Sequence, residues 1–420
     1  MSKIKIGVFG AGRGMVMIDM LMEYPEAELV AICDRYKPLL DKCAEKAKEH
    51  NLKIELCEDF EDFIQCDMDA VVLANYAVEH APYAIRLMKS GRHILSECLP
   101  VQTMKEAVEL IEAVEETGMT YHFAENCCFL TNTFEMYKRY RRGDIGEVTY
   151  AEGEYVHCGE PGDFEKTAKH TCGGDPNHWR YKNYSTYYCT HSLGPILYMT
   201  GLRPVKVVGM EVPNCDFQFE RGYISGNAGV TLIELENGAV VKNIVGSLRK
   251  LPLIWNYQLY GTKGCMETDR WVHDMLNVYL DKDFDGEQGR TYYECKPVIQ
   301  NELSAKTATH GGADYYATHY FIQTLLGDKE AEKYAIDVYQ AIEMGIPGIL
   351  GYRSILGGGI PVEIPNLRIK EVRNLYRNDI ACTDAAVAGA AVLPVSARGN
   401  KMVPQETYDF IRSVWEKMQQ

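Results

Sequence analysis

Two groups of residues in this chain have types and spacings that point to chemistry. An apolar run, Ile4-Lys5-Ile6-Gly7-Val8-Phe9, leads into Gly10-Ala11-Gly12-Arg13-Gly14, and a second run, Leu29-Val30-Ala31-Ile32-Cys33, ends in Asp34. Gly10 and Gly12 let a backbone turn sharply and approach a pyrophosphate, and a helix predicted from about Met15 aims its free amides at the phosphates. Asp34 is placed to accept from both hydroxyls of an adenosine ribose and to repel a 2′-phosphate, so the spacing predicts NAD rather than NADP. Gly14 comes one residue early for a GxGxxG pattern, and Met15 stands where the third glycine belongs. The second group is a crowd of His157, Cys158, His170, Cys172, His178, Cys189 and His191 in one stretch. Histidine accepts and returns protons near neutrality. The same side chains are of the types that build a zinc or manganese site, but their spacing follows no standard zinc pattern, and a divalent metal is not the favoured reading.

The elements that must position these residues are legible from periodicity. Apolar runs at 4–9, 28–33, 69–74, 92–96 and 120–124 alternate with helical patterns near 15–22, 37–49, 78–89 and 103–116. Strand, crossover helix and parallel strand, repeated, predict an α/β fold with a doubly wound Rossmann sheet. Ligands bind such sheets at the carboxyl ends of the strands, where Asn75, His80, Glu97 and Asn126 fall. After a helix at about 131–142 the pattern changes. Strand-like runs at 148–157, 204–212, 228–235, 239–246, 254–260 and 264–268, with hairpin turns at Glu236-Asn237-Gly238 and 261–264, predict an α+β domain with a large open, mostly antiparallel sheet. Residues 159–188, rich in Gly, Pro, Asn, His and Tyr, read as a long functional loop. Helices near 313–326 and 335–354 and a loose tail complete the chain. The predicted domains are 1–125 for NAD, 126–367 for substrate and oligomerisation, and a C-terminal extension over 368–420.

A net charge of −15 argues against nucleic acid or an anionic membrane as partner. No run approaches the roughly 20 apolar residues of a membrane span, and the first strand begins too early to leave room for a signal peptide. The 14 cysteines include no CxxC pair and read as reduced thiols, which predicts a cytoplasmic protein.

This order of elements resembles the Gfo/Idh/MocA (glucose–fructose oxidoreductase / inositol dehydrogenase) family over roughly residues 3 to 367. That family carries Glu-Lys-Pro after its fifth strand; here the segment is Glu97-Cys98-Leu99-Pro100, so the lysine is replaced by Cys98. Five later segments are similar to the NAD-dependent glycoside hydrolase branch typified by bacterial α-N-acetylgalactosaminidase. They are Glu125-Asn126-Cys127-Cys128, Ala151 to His157, His178-Trp179-Arg180, Tyr188 to Pro195, and His310-Gly311-Gly312-Ala313-Asp314. In that branch a Tyr-x-His pair and a Tyr-x-x-His pair surround the sugar, which the resemblance places at Tyr155 with His157 and Tyr188 with His191. Cys189 stands where the branch commonly has proline, and the loop between Trp179 and Tyr188 is shorter.

The resemblance implies a glycosidase that works by a transient oxidation, an exception to the usual two-carboxylate mechanism. Oxidation at C3 of the sugar acidifies C2, loss of the C2 proton expels the aglycone, water adds, and the bound NADH returns its hydride. His191 is assigned to the C3 hydroxyl in place of the missing lysine. Tyr155 is assigned to the C2 proton, and Tyr188 and His157 to the departing oxygen and incoming water. A tyrosinate is the stronger base, but its pKa of about 10 needs lowering by cationic or hydrogen-bonding neighbours. Gly10, Gly12, Arg13, Gly14, Asp34, Asn75, His80, Glu97 and Asn126 are the expected NAD residues; Arg180 and His310 are expected to contact the sugar. The substrate implied is an α-glycoside, with the β-glycoside as an alternative, of galactose, N-acetylgalactosamine or a related sugar, with tightly held NAD and a dimer or tetramer of the chain. The alternative within the same family is a plain NAD-dependent sugar or polyol dehydrogenase.

Overall fold

A computed structural model describes residues 3–158, 162–248, 254–283, 289–307, 309–399 and 401–419. The chain forms two compact units. The first comprises Met1–Glu135, Cys295–Glu343 and Leu367–Arg377. Its six strands are β1 (Ile4–Phe9), β2 (Ala27–Cys33), β3 (Glu55–Cys57), β4 (Ala70–Leu73), β5 (His93–Ser96) and β6 (Tyr121–Phe123), all parallel, in the order β3-β2-β1-β4-β5-β6. Val8 lies beside Ile32 on one side and Val72 on the other. Helices Ala11–Glu23, Lys37–Glu49, His80–Lys89 and Met104–Thr117 form the crossovers. The last is fixed at its start by a capping box between Thr103 and Glu106 and at its end by Gly118 in the left-handed region. Ala70-Val71-Val72-Leu73 is fully buried, as a strand covered on both faces must be. Two differences from the sequence reading stand out. The three-residue strand β3 carries too little pattern to be read, and the first helix starts at Ala11 rather than near Met15.

His122 on β6 is buried and meets Phe321 edge-on, their ring centroids 5.5 Å apart. Burial pushes its pKa down to about 4 from an ordinary 6.5. The unfolded chain therefore binds a proton here between pH 6.5 and 4 that the folded chain does not. The stabilisation is fully present above pH 6.5 and is lost as pH falls through that window. Between pH 7 and 5, the wild type is expected to lose about 2 kcal/mol more stability than His122→Phe. Urea midpoints of both proteins at the two pH values check this; equal losses would refute it.

The second unit comprises Met136–Glu294, Met344–Asn366 and Asn378–Gln420. Its sheet has nine strands: β7 (Val148–Cys158), β8 (Pro204–Val212), β9 (Ala228–Leu235), β10 (Val240–Leu248), β11 (Trp255–Gly261), β12 (Gly264–Thr268), β13 (Met275–Leu280), β14 (Arg290–Glu294) and β15 (Val362–Glu363). The order is β14-β13-β12-β11-β7-β10-β9-β8-β15, and every pairing is antiparallel except β7 with β10. The β9–β10 and β11–β12 hairpins turn where the sequence predicts, while β13 and β14 extend the sheet beyond it.

The segment predicted as one long loop contains the helix Phe164–His170 and a single 3₁₀ turn, Trp179–Lys182; residues 159–161 of it lie outside the described residues. The tail is not loose. Helix Gln405–Met418 lays Tyr408, Ile411 and Trp415 along one face, and these meet Tyr181, Gly174 and Gly173. The spacing i, i+3, i+7 is an amphipathic helical signal, so this is a correction the sequence could have supplied. No helix among the described residues is long and apolar enough to cross a membrane.

Candidate active site

In the first unit, β1 delivers the chain to Gly10, whose φ of 99° is open to glycine and costly for other residues. A Cβ there would overlap the backbone of Ala74 and Asn75, so Gly10 also lets β4's end pass close by. Asp34, at the end of β2, accepts from the Ala11 amide at 2.7 Å and the Tyr36 amide at 2.8 Å. It thereby ties the glycine turn to the neighbouring strand. Helix Ala11–Glu23 follows at once, and its remaining first-turn amides have no partner within the helix. Gly14 performs the packing duty of the third glycine despite its shifted position: a Cβ on it would lie 2.8 Å from Val8 Cγ1. Arg35, next to Asp34, is held by Glu79 at 3.0 Å and covers the Tyr76 ring at 4.8 Å.

Along the same carboxyl ends of the strands, toward β5 and β6, runs a charged network. Arg13 Nη2 lies 2.7 Å from Glu97 Oε1 and 2.7 Å from Asp314 Oδ1. Asn126 Nδ2 donates to Asp314 Oδ1 at 3.2 Å, and His310 Nδ1 meets Asp314 Oδ2 at 2.8 Å. Arg13 therefore has its charge balanced by carboxylates. His310, expected to contact the sugar, sits with the residues expected to hold NAD. Asp314 is a residue that sequence reasoning misses; its place four residues after His310, in a helix's first turn, is the signal that could have found it. His80 Nδ1–H donates to the Leu99 carbonyl at 3.0 Å, and burial pushes its pKa down to about 4, so the ring is neutral. Where the family's lysine would stand, the buried Cys98 thiol, pushed well up by burial and by Glu125 and Glu97, donates to Glu125 Oε2 at 3.2 Å.

These residues fit a dinucleotide. Asn75 Oδ1 and His80 Nε2 are buried and, among the described residues, have no hydrogen-bond partner, which is costly unless a ligand supplies one. Gly12 is the complement: a Cβ there would meet nothing nearer than Leu39 Cδ1 at 3.8 Å, leaving space over the helix N-terminus.

In the second unit, β7 sits between β10 and β11, and Gly153, Tyr155 and His157 share one face of it by strand alternation. That face receives helix Cys189–Thr200, because a Cβ on Gly153 would run into the Ser192 carbonyl. Tyr188 and His191 stand at the start of this helix, three residues apart and therefore neighbours. Four predicted residues are thus brought together. Tyr155 Oη and His157 Nε2 are 2.9 Å apart. The Tyr155 and His191 rings are 4.5 Å centroid to centroid, and the Tyr188 and His191 rings stack at 5.7 Å. Arg180 Nη1 donates to Tyr188 Oη at 3.2 Å while its guanidinium covers Trp179 at 4.5 Å. Burial lowers the Arg180 pKa, and Tyr188 and Tyr223 more than compensate, so it stays charged. Burial, with Lys166 and His191 adding, pushes His157 down to about 4 and leaves it a neutral hydrogen-bond partner for the phenol.

Cys189, in the proline's place, is structural: its thiol donates to the Met344 carbonyl at 3.2 Å. Tyr257, which sequence reading passed over, donates to the His191 carbonyl at 2.5 Å and fixes the backbone of that histidine. The Cys158 side chain lies outside the described residues. Among the described residues of this unit, no three His, Cys, Asp or Glu side chains bring ligand atoms within 4.8 Å of one another.

Comparison with known proteins agrees with both halves. A family described as "Oxidoreductase family, NAD-binding Rossmann fold" matches residues 4–125, and "Glycosyl hydrolase 109, C-terminal domain" matches 203–370. The chain thus carries a segment similar to the Gfo/Idh/MocA Rossmann domain followed by one similar to the glycosyl hydrolase 109 C-terminal domain. A glycosyl hydrolase family 109 protein of Saccharopolyspora erythraea is 25% identical over 390 residues, covering 86% of this chain and 83% of that one. An alpha-N-acetylgalactosaminidase of Bacteroides fragilis is 23% identical over 405 residues, covering 86% and 91%. Among solved structures, a levoglucosan dehydrogenase in complex with NADH and L-sorbose superposes with a TM-score of 0.68 at 17% identity, covering 87% and 100%. That likeness is one of fold. The glycosyl hydrolase 109 match begins after His191, so the tyrosine and histidine group precedes it in the chain.

Proposed function

We propose that this protein is an NAD-dependent glycoside hydrolase acting on an α-glycoside of galactose, N-acetylgalactosamine or a related sugar. The observation that carries the reading is the convergence of Tyr155, His157, Tyr188 and His191 on one face of β7, with Arg180 bonded to Tyr188. Such a set transfers protons without needing the carboxylate pair of an ordinary glycosidase. When bound, the dinucleotide accepts a hydride from C3 of the sugar and gives it back before product leaves.

The side chains do the rest. His191 takes the C3 hydroxyl proton. The C3 carbonyl that results makes the C2 hydrogen acidic, and Tyr155 removes it as its own phenolic proton passes to the neutral His157 Nε2 at 2.9 Å. The electron pair left on C2 forms a double bond to C1 as the C1–O bond breaks. Tyr188, held by the Arg180 cation, donates to the departing oxygen and then orders the water that adds to C1. Protons return by the same groups and the sugar leaves with no net oxidation. We also propose a homo-oligomer formed through the outer face of the nine-stranded sheet, where Met210 and Leu232 are exposed.

A panel of α- and β-aryl glycosides tests the activity. The expected result is release of the phenol with no build-up of NADH, a primary isotope effect from C2-deuterated substrate, and solvent exchange at C2. NADH formed one-for-one with the glycosidic bond intact would instead identify a dehydrogenase.

A further inference from the structure

Asp314 is a buried, heavily engaged carboxylate to which the sequence assigns no role. It is 1% exposed, in the first turn of helix Ala313–Leu325, and it takes bonds from Arg13, Asn126 and His310. Burial raises its pKa, but His310 and Arg13 overcome this and hold it well below the usual carboxylate range. The groups facing it are therefore one permanent cation, Arg13, one titrating cation, His310, and, through Arg13, one further anion, Glu97. Glu97 follows β5 and Asn126 follows β6, on the opposite side of β1 from Asp34. A dinucleotide whose adenosine is read by Asp34 lies across these strand ends with its nicotinamide toward β5 and β6.

With His310 protonated the group sums to zero; with His310 neutral it carries one negative charge. The nicotinamide ring is cationic in NAD⁺ and neutral in NADH. We propose that Asp314 is a positioning residue that binds Arg13 and His310 into one charge-balanced group with Glu97, so that proton loss from His310 favours bound NAD⁺ over bound NADH. His310 is half exposed and exchanges its proton with solvent; its pKa is raised, chiefly by the hydrogen bond to Asp314. A reaction that reduces and then reoxidises its cofactor in every turnover needs the two bound forms close in energy, and this group sets that balance.

The inference rests on the first unit being a dinucleotide site, and not on the fate of the sugar. Dissociation constants of NAD⁺ and NADH, measured by calorimetry and NADH fluorescence without substrate from pH 6.5 to 9.5, test it. In the wild type, Kd(NADH)/Kd(NAD⁺) is expected to rise about ten-fold with pH, the effect of one unit of charge nearby. His310→Gln removes the titrating proton and keeps the carboxylates, so its ratio should be flat at the wild type's alkaline value. Asp314→Asn should be flat above pH 7 at the wild type's acidic value. A loss of packing alone would not send the two variants to opposite levels. An unchanged slope in His310→Gln, a wild-type ratio independent of pH, or both variants at one level overturns the proposal. If Asp314→Asn does not fold, the level reached by His310→Gln still decides. Absence of any dinucleotide binding would overturn the reading of the site itself.

Discussion

Tyr155→Phe is expected to slow glycoside cleavage by about 10²–10⁴-fold, the range general acid–base groups contribute, while changing NAD affinity by less than about two-fold. The substitution removes a single oxygen. It leaves the ring facing His191 and leaves β7 paired with Trp255 on one side and Val245 on the other. It also leaves the neutral, half-buried His157 without the phenol at 2.9 Å, which costs about 0.5–1.5 kcal/mol of stability and is measurable as a shift in urea midpoint. The signature is kinetic. If Tyr155 removes the C2 proton, the hydride step precedes the block, so the variant should accumulate reduced cofactor and a 3-keto glycoside, and exchange at C2 should vanish. If cleavage persists within about five-fold of wild type, or if reduction of the cofactor is lost in parallel with cleavage, Tyr155 is not the C2 base. His191→Gln provides the contrast, since blocking the C3 hydroxyl proton should suppress cofactor reduction and cleavage together.

Much of this site was legible because local sequence fixes local geometry. Tyr155 and His157 share a face because strands alternate, and Tyr188 and His191 are neighbours because helices repeat every 3.6 residues. Neither pattern says that the two pairs meet. That follows from Gly153, whose missing side chain admits the helix onto β7 at Ser192, a contact between residues 39 positions apart (192 − 153). Asp314 escaped for the same reason. It is 301 residues from Arg13, and no periodicity links a helix start late in the chain to the turn after β1. The open sheet was underpredicted at β13 and β14; β14, Arg290–Glu294, is an edge strand of mostly exposed residues with little alternation to read. The replacement of the family's lysine by Cys98 was visible, and so was the need for another base, for which His191 was the expectation. The partner of the thiol was not: it is buried and bonded to Glu125, and it keeps its proton where the lysine would have taken one.

Gly12→Val is expected to weaken NAD binding by at least about 100-fold while moving Tm by no more than a few degrees. The three glycines of the turn separate by what a side chain would meet. At Gly10 it would overlap the Ala74 and Asn75 backbone, from a φ of 99° that non-glycine residues rarely adopt, so substitution there breaks the fold of the turn. At Gly14 it would press on Val8 at 2.8 Å and Ala74 at 3.3 Å, so substitution forces the helix off the sheet and costs stability first. At Gly12 it meets only Leu39, at 3.8 Å, and replacing a helical glycine gains back part of its backbone entropy. The protein therefore tolerates the valine, and what the valine displaces is the pyrophosphate. Loss of two charge-assisted bonds to first-turn amides, at about 1.5–3 kcal/mol each, corresponds to a factor of 100 or more. Calorimetric titration with NAD and a thermal melt on the same sample read the two quantities independently. A Gly12→Val protein that binds NAD as tightly as wild type would mean the phosphates lie elsewhere. One that fails to fold would mean the space beside Leu39 is not open.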